Sequence, residues 1–538
     1  MVDRVVLLEG LLTTPRLHLS TIALAAATAC APVAPDREAL TTRAERTGWI
    51  ETSSYEDVVA LSRAAAAADP RIHYTTFGYT SEGRPLPLVV VGDIADADPE
   101  TVRASGKTVV YLQGNIHAGE VCGKEALQML LRDLVGGAHR AWMSSMVLLV
   151  APIYNADGNE RVSLTNRGRQ HGPLGGMGQR PNAQGYDLNR DHMKLDSPEA
   201  RSVARLFHQY DPHVAVDLHT TNGTQHAYHI TYAPPLHPNT PRPIDALLRD
   251  RLLPHVTREI RDKHGWEVYY YGNASGPPGS DERGWYTFDH RPRFNNNYIG
   301  LRNRIAILSE AYSYATFEER VLATLYFVEE TLDYVGDHGD SIREIVAGAD
   351  ATSVVGQRLG LRATFARSPA PVEILMGETI EERHPLTGRV ILRRQDVSTV
   401  EPMYEYGTFE PTESGTAPVS YVVPADLEEV IVRLRTHGVE LEPAESAELA
   451  VEAFRVDSVQ TAATAFQGHN EQLPFGAYEA ATYTPTPGSW VVPLDQPLGR
   501  LAFSLLEPRS DDGFANWGFL AHRMTPGELY PIVRIPAP

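Results

Sequence analysis

The sequence predicts an α/β fold in which buried parallel strands alternate with helices. The first observation is a set of short, almost purely apolar runs at residues 109–112, 146–151, 214–218 and 305–308. Such runs are typical of strands that are buried on both faces of a parallel sheet. The second observation is that helical patterns separate these runs from residue 72 to residue 336. The third is that the runs lead into polar residues, as at the ligand-binding edge of an open α/β sheet.

The predicted elements follow in a regular order. Residues 55–69 suit an amphipathic helix, and residues 72–92 predict two strands around the turn Ser81-Glu-Gly-Arg84. A helix over about 119–135 follows the strand at 109–112. The later elements are a strand at 146–152, a long loop at 161–184, a helix at 197–210, a strand at 214–219, a helix at 242–263, a loop-rich segment at 266–298, a strand at 305–310 and a helix at 316–336.

The length of the chain predicts more than one domain, since 538 residues exceed one ordinary core. After about residue 350 the strand-like runs shorten, Pro and Thr become frequent, and one clear helix occupies 425–438. We therefore predict a linker over 31–55, a main domain over 56–345 and a smaller β-rich or α+β accessory domain over 355–538. The simplest interpretation of the accessory domain is a packing or placement module.

The composition excludes some classes of partner. The formal net charge of −20 argues against a nucleic-acid partner, because phosphate binding requires a basic face. No internal stretch has the length and apolarity of a membrane-spanning helix. Cys122 has no partner once Cys30 is removed or modified, so no disulfide framework is expected. The sequence gives no indication of the oligomeric state.

Residues 1–30 look like a bacterial lipoprotein signal. An apolar stretch at 17–29 has the length of a signal-peptide core, and small residues lead from it to Cys30. This pattern predicts an exported bacterial protein, either periplasmic or anchored to the membrane through a lipid on Cys30. Cleavage near Ala29 or Ala31 followed by secretion is the first alternative, and an Ala-rich N-terminal helix is the second.

Three strand ends carry side chains that bind metals or transfer protons. His117 and Glu120 follow one strand, His219 ends a second and Glu310 ends a third. One such residue alone is more often structural, but the combination within one α/β domain is rare. Two His and one carboxylate are a recurring ligand set of catalytic zinc, which keeps one position open for water. A further carboxylate beside that water can act as a general base, so we predict metal-assisted hydrolysis.

The loop before residue 197 supplies residues suited to a carboxylate substrate. Arg190 offers a fixed fork of donors that matches a carboxylate, and Asn189 lies beside it. An ordinary surface arginine is the alternative. Asp187 can accept a hydrogen bond from the second ring nitrogen of a ligand His. Arg167 and Arg169 are candidates to stabilise a developing oxyanion.

Together these residues resemble the carboxypeptidase A family of zinc metallocarboxypeptidases. The resemblance covers roughly residues 70–336. Its motifs are Gly78-Tyr-Thr-Ser-Glu-Gly-Arg84, His117-Ala-Gly-Glu120, Asn155-Ala-Asp-Gly158, Asp187-Leu-Asn-Arg190, Asp217-Leu-His219 and Ser309-Glu310. The resemblance implies a mixed, mostly parallel eight-stranded sheet flanked by helices, one zinc ion per catalytic domain, and removal of C-terminal residues from peptides with a free C-terminus.

The resemblance also implies roles for individual residues. The implied zinc ligands are His117, Glu120 and His219. Glu310 corresponds to the base that takes a proton from the attacking water and passes it to the leaving amine. The pair that holds the terminal carboxylate corresponds to Asn189 and Arg190.

Three further roles are also implied, and two of them fall on less sharply defined positions. Asp187 corresponds to the residue that orients the first ligand His. Arg167 is preferred over Arg169 as the arginine that stabilises the transition state. Tyr298 is preferred over Tyr286 as the tyrosine that caps the substrate.

Other functions are compatible with the same residues. A peptidase that acts on cell-wall stem peptides, or an amide deacylase, would use the same fold and metal. A binding protein with an inactive site is a third interpretation, and the presence of Glu310 beside all three ligands argues against it. The preferred terminal residue of the substrate is not predicted.

Overall fold

An eight-stranded sheet forms the centre of the computed structural model, which describes residues 38–221, 223–276 and 282–538. The strands described in this part of the chain are β1 (Ile72–Tyr79), β2 (Pro85–Val91), β3 (Thr108–Gly114), β4 (Met146–Ala151), β5 (Val214–Thr220), β6 (Ile230–Ala233), β7 (Val268–Tyr270), β8 (Asn273–Ser275), β9 (Arg283–Tyr286) and β10 (Ile305–Ala311). The order in the large sheet is β1-β2-β4-β3-β5-β10-β6-β7. Neighbouring strands from β4 through β3 and β5 to β10 are parallel, as are β6 and β7, while the remaining pairs are antiparallel. The prediction of a mixed, mostly parallel sheet flanked by helices is confirmed.

Helices cover both faces of this sheet. They are α1 (Arg43–Arg46), α2 (Tyr55–Ala68), α3 (Pro99–Ala104), α4 (Cys122–Val135), α5 (Arg140–Ser145), α6 (Ala156–Asn159), α7 (Pro198–Tyr210), α8 (Arg242–Leu247), α9 (Leu253–His264), α10 (Asn295–Leu301) and α11 (Phe317–Asp350). Val109 and Tyr111 of β3 belong to the core beneath α7 and α10, whereas Val110 and Leu112 belong to the core beneath α4, α9 and α11. Alternate side chains of one strand thus fill opposite cores, which explains why β3 is apolar throughout.

Two stretches differ from their predicted structure. Helix α11 extends to Asp350, although the sequence predicted an end near Gly336, and the helical backbone is interrupted at His338 (φ −120°, ψ 16°), close to that predicted end. Just after this break, a Cβ at Gly339 would lie 2.7 Å from Thr108 Oγ1, so glycine here permits close approach to β3. The loop-rich segment at 266–298 contains β7, β8 and β9, which have three or four residues each and are too short to show alternation.

The C-terminal region is rich in strands, as predicted. Its strands are β11 (Arg358–Ala366), β12 (Val372–Arg383), β13 (Val390–Met403), β14 (Glu405–Tyr406), β15 (Thr408–Thr416), β16 (Ser420–Val423), β17 (Glu442–Pro443), β18 (Leu449–Thr461), β19 (Gln472–Tyr483), β20 (Trp490–Pro493) and β21 (Val533–Ile535). A six-stranded sheet has the order β17-β20-β16-β21-β18-β19, and β11–β15 and β12–β13 form separate antiparallel pairs. Two helices, α12 (Glu428–His437) and α13 (Gly499–Leu506), pack with these strands.

The C-terminal region shares a hydrophobic core with the large sheet. One cluster of buried side chains includes Tyr111 of β3, Leu434 of α12 and Phe503 of α13. The contacts within the described residues from 38 onward accordingly form a single unit. The domain boundary near residues 345–355 stays a prediction.

The described helices include none that is long and apolar enough to cross a membrane. The predicted signal sequence and Cys30 lie outside the described residues.

A buried carboxylate joins two of the sequence motifs. Asp157, in the short helix α6 after β4, accepts hydrogen bonds from Thr80 Oγ1 at 2.7 Å, from the Glu82 backbone N–H at 2.9 Å and from Arg84 Nη1 at 2.6 Å. The turn between β1 and β2 is thereby fixed to the loop after β4. This contact explains why the Ser-Glu-Gly-Arg and Asn-Ala-Asp-Gly motifs occur together.

Candidate metal centre and substrate pocket

The register of the central strands brings the predicted site residues to one edge of the sheet. Glu310 of β10 pairs with His219 of β5, and Gly114 of β3 pairs with Leu218 of β5. His117 and Glu120 lie in the connection from β3 to α4. Because parallel strands end at the same edge, residues nearly two hundred positions apart in sequence become neighbours.

Three side chains could hold one metal ion. One donor atom each from His117, Glu120 and His219 lies within 4.8 Å of the others, and all three residues are buried. His117 Nδ1 lies 2.9 Å from Glu120 Oε1, and His219 Nδ1 lies 2.9 Å from Glu120 Oε2. Imidazole nitrogens and a carboxylate that converge in this way fit the ligand set of zinc.

Carboxylates hold the far nitrogen of each imidazole. His117 Nε2 lies 3.0 Å from Asp187 Oδ1, and His219 Nε2 lies 2.8 Å from Asp217 Oδ2. With Nε2 donating to a carboxylate, Nδ1 presents its lone pair toward the ion, and this is the usual support of a ligand His. The structure thus places Asp187 where the sequence predicted it.

Asp217 was not predicted for this role. It lies two residues before His219 on β5, and side chains two apart on a strand point to the same face, so the spacing was a usable signal. The Gln113 side chain donates from Nε2 to Asp217 Oδ1 at 3.0 Å, and its Oε1 accepts a hydrogen bond from the Tyr111 hydroxyl at 2.8 Å. Burial alone would raise the pKa of Asp217, but the adjacent His219 outweighs it and the pKa lies below its usual value.

Glu310 stands beside these ligands and faces the pocket. Its Oε2 atom is enclosed and has no hydrogen-bond partner among the described residues. Burial raises the pKa of this carboxyl to about 8, with a further rise from Glu120 and an opposing effect of His219. A carboxyl that is held near the ligands without a fixed partner is free to exchange a proton.

The pocket in front of these residues has a volume of about 370 Å³ and is lined by three arginines, Arg167, Arg180 and Arg190. Arg167 contacts the Glu120 carboxylate. Arg180 was not predicted, although it lies in the same Gly-containing loop. Its Nε is 3.0 Å from Asp187 Oδ2 and its Nη1 is 3.6 Å from Glu120 Oε1.

Arg169, the alternative to Arg167 in the sequence, is not among the residues that line this pocket. Its backbone carbonyl accepts a hydrogen bond from the Leu392 N–H at 3.0 Å, in the C-terminal region. The structure therefore favours Arg167 and Arg180 over Arg169 as residues that reach a substrate.

Asn189 and Arg190 line the pocket as predicted. The Arg190 guanidinium lies 3.9 Å from the centre of the Phe294 ring. Asn189 Oδ1 accepts the Asn295 backbone N–H at 2.8 Å. The segment from Phe294 to Asn295 therefore fixes both side chains of the pair.

The C-terminal region holds that segment in place. Asp512 accepts hydrogen bonds from both the backbone N–H and the Nε of Arg293, each at 2.8 Å. The Arg293 guanidinium also lies 4.6 Å from the Trp517 ring. At a second point, Gln467 Oε1 accepts the Asp187 backbone N–H at 2.8 Å. Residues far along the chain thus support the side chains that line the pocket.

The prediction for Tyr298 is wrong. Tyr298 is fully buried in α10, and its hydroxyl lies 2.9 Å from His437 Nδ1 rather than in the pocket. Tyr286, the alternative, stacks on Tyr406 with ring centres 4.1 Å apart and does not line the pocket either. The tyrosine that does line it is Tyr271, from the loop between β7 and β8.

Comparison with known proteins agrees with this geometry. Residues 58–288 match the family profile of Peptidase_M14, described as zinc carboxypeptidase. The chain carries a zinc carboxypeptidase domain. It is therefore a peptidase, and the family implies zinc. Glu310 lies beyond the matched residues, so its place beside the ligands comes from the structure.

Similar proteins include two fungal relatives and a solved structure. Carboxypeptidase 2 of Trichophyton rubrum is 24% identical over 509 residues, which are 89% of this chain and 86% of the relative. Carboxypeptidase 2 of Trichophyton tonsurans is 24% identical over 520 residues, with the same two shares. The crystal structure of a metallo-carboxypeptidase from Burkholderia cenocepacia is 17% identical, covers 54% of this chain and 70% of that chain, and has a TM-score of 0.40.

The predicted bacterial localisation is corrected by these relatives. The relatives that align with most of the chain are fungal, which points to a eukaryotic rather than a bacterial origin. A periplasmic protein or a bacterial lipoprotein anchored at Cys30 does not agree with that origin.

Asp217→Asn should weaken zinc binding while the fold is kept. The amide keeps the size of the carboxylate but removes the negative charge that supports the His219 imidazole, and loss of such a partner typically costs about 10–100-fold in metal affinity. Competition with a chelator of known affinity measures the change, with exposed Asp262→Asn as the matched control. Equal zinc affinity in the two variants would exclude a supporting role for Asp217.

Proposed function

We propose that this domain removes residues one at a time from the C-terminus of peptides, with one zinc ion held by His117, Glu120 and His219. The observation that supports this most is the convergence of these three donors beside Glu310, in a pocket that also contains Asn189 and Arg190. Zinc, when bound there, would polarise the scissile carbonyl, acidify the attacking water and, through its charge, lower the pKa of Glu310.

Glu310 is the proposed general base. Its carboxylate takes a proton from the attacking water and later donates it to the nitrogen of the leaving amine. The carboxyl suits this role because it faces the pocket and no other described group holds its Oε2 atom.

The proposed anchor of the substrate is the Asn189–Arg190 pair. The planar guanidinium of Arg190 can donate two parallel hydrogen bonds to a terminal carboxylate. The Phe294 ring beneath it restricts the guanidinium to one plane, so the entropy cost of binding is reduced. An anchor for the free carboxylate in the pocket that holds the metal ligands limits cleavage to the last peptide bond.

Arg180 is the better candidate to stabilise the oxyanion that forms on the scissile carbonyl. Arg167 is engaged with the Glu120 carboxylate and supports that ligand. Arg180 is fixed by Asp187 through its Nε and remains partly exposed to the pocket. A guanidinium held in this way stabilises negative charge without reorganising during the reaction.

Tyr271 is the proposed capping residue in place of Tyr298. Its hydroxyl accepts a hydrogen bond from Asn273 Nδ2 at 3.2 Å, and its ring lies 5.7 Å from the ring of Phe288. Both aromatic side chains line the pocket. They can close over a bound terminal residue and exclude water from the reacting bond.

The walls of the pocket disfavour basic terminal residues. Phe288, Phe294 and Leu308 supply apolar surface. Among the described residues that line the pocket, the only carboxylates are Glu120 and Glu310, which are already assigned to the metal and to proton transfer. A terminal Lys or Arg would therefore find no free counter-charge.

Peptides with a free C-terminus should be shortened from that end, and the same peptides with an amidated C-terminus should resist cleavage. Mass spectrometry of timed digests measures both, with chelator added to one arm. Glu310→Gln is the matched control, because it should retain zinc and lose hydrolysis by several orders of magnitude. Equal cleavage of amidated peptides would contradict the carboxylate anchor, and faster release of N-acyl amino acids than of peptides would favour an amide deacylase.

Asp512→Asn should raise KM for peptides by about tenfold and change kcat little, since it loosens the segment that fixes Arg190 rather than the reacting groups. Exposed Asp495→Asn is the matched control. If Asp512→Asn does not fold, Gln467→Ala tests the second contact of the C-terminal region. A fall in kcat at constant KM in the folded variants would contradict the proposed positioning role.

A further inference from the structure

Arg500 is a buried arginine without a partner. It lies in the first turn of α13 and is only 8% exposed. Its guanidinium forms no hydrogen bond or ion pair with any other described residue, and its Nε atom is fully enclosed. A buried cation without a counter-charge is costly, so this position requires an explanation.

The other buried arginines among the described residues all have partners, which are carboxylates for two of them and backbone carbonyls for Arg302 and Arg320. Arg293 binds Asp512, and Arg304 lies 2.8 Å from Asp350 through its Nη1. Asp350 also accepts a hydrogen bond from Asn303 Nδ2, so this carboxylate is already occupied. Burial lowers the pKa of Arg500, and no charged group offsets that effect.

Arg500 lines a cavity of about 840 Å³ that shares no residue with the metal centre. The walls come from the loop at 238–243, the end of α11 and the start of β11. Arg242 and Arg358 are exposed at this cavity, and Glu344, also exposed, is the only carboxylate among the described lining residues. Three arginines against one glutamate give a positive surface on a chain whose net charge is −20.

A second polar atom also lacks a partner in this cavity. Thr240 Oγ1 is enclosed and forms no hydrogen bond with the described residues. Thr240 and Arg500 both line this cavity, and a hydroxyl and a guanidinium offer donors suited to an oxygen-rich anion.

The wall that carries Thr240 is rigid. Asn239 Nδ2 donates to the Gly360 carbonyl at 2.9 Å, and Asn239 Oδ1 accepts the Gly360 N–H at 2.7 Å. Prolines at 238, 241 and 243 restrict the same loop. On the opposite side, a Cβ at Gly499 would lie 2.2 Å from the Leu494 carbonyl oxygen, so the start of α13 is closely packed. The cavity is therefore preformed.

We propose that this cavity is a second ligand site, which binds a small oxyanion, a phosphate or a carboxylate compound, on the buried guanidinium of Arg500. Arg242 and Arg358 attract the anion at the entrance, and Thr240 donates to it inside. The site is independent of the peptidase reaction, because none of its residues reaches the pocket of the metal centre.

Calorimetric titration of the zinc-loaded protein at constant ionic strength tests the site, with inorganic phosphate and citrate as separate probes. At least one probe should bind saturably, and Arg500→Met should weaken that binding by about tenfold or more. Arg103→Met, at an exposed arginine elsewhere, should bind as the wild type does.

The variant Arg190→Met distinguishes anion binding at this site from anion binding in the peptidase pocket. Binding that survives Arg190→Met and is lost in Arg500→Met supports the proposal, whatever the outcome of the peptide digests. Loss in Arg190→Met alone, or no saturable binding of either probe, would overturn it. The melting temperature gives an independent readout, since the anion should raise it in the wild type and not in Arg500→Met.

Discussion

The parallel register of β3, β5 and β10 is the constraint on which the rest of the site depends. It sets His219 beside Glu310 and brings the turn after β3 to the same edge. The register is fixed by burial, because a slip by one residue would turn every side chain of these apolar strands toward the opposite core. Stability of the sheet and geometry of the metal centre therefore come from the same packing.

Buried carboxylates convert this placement into a metal site. Asp187 and Asp217 hold the far nitrogens of the two imidazoles, and Gln113 and Tyr111 extend the second of these contacts across the sheet. The ligands are thus oriented before any ion binds. The pocket in front of them is built differently, since its walls come from loops that are held by the C-terminal region.

This difference explains what the sequence could and could not predict. The ligands and Glu310 were recognisable because each follows an apolar strand, where local pattern determines position. Arg180 and Tyr271 lie in long connections without periodicity, and nothing local shows which way they point. Tyr298 was misplaced because a fully buried tyrosine and a mobile one look alike in sequence. The role of Asp512 depends on its contact with Arg293, which lies 219 residues earlier in the chain, and no local pattern encodes such a contact.

Anomalous X-ray diffraction at the zinc absorption edge, on crystals of the zinc-loaded protein, tests the central claim most directly. One strong peak is expected, about 2.0–2.1 Å from Nδ1 of both His117 and His219 and in contact with the Glu120 carboxylate. Coordination through Nε2, or a peak away from these three residues, would contradict it.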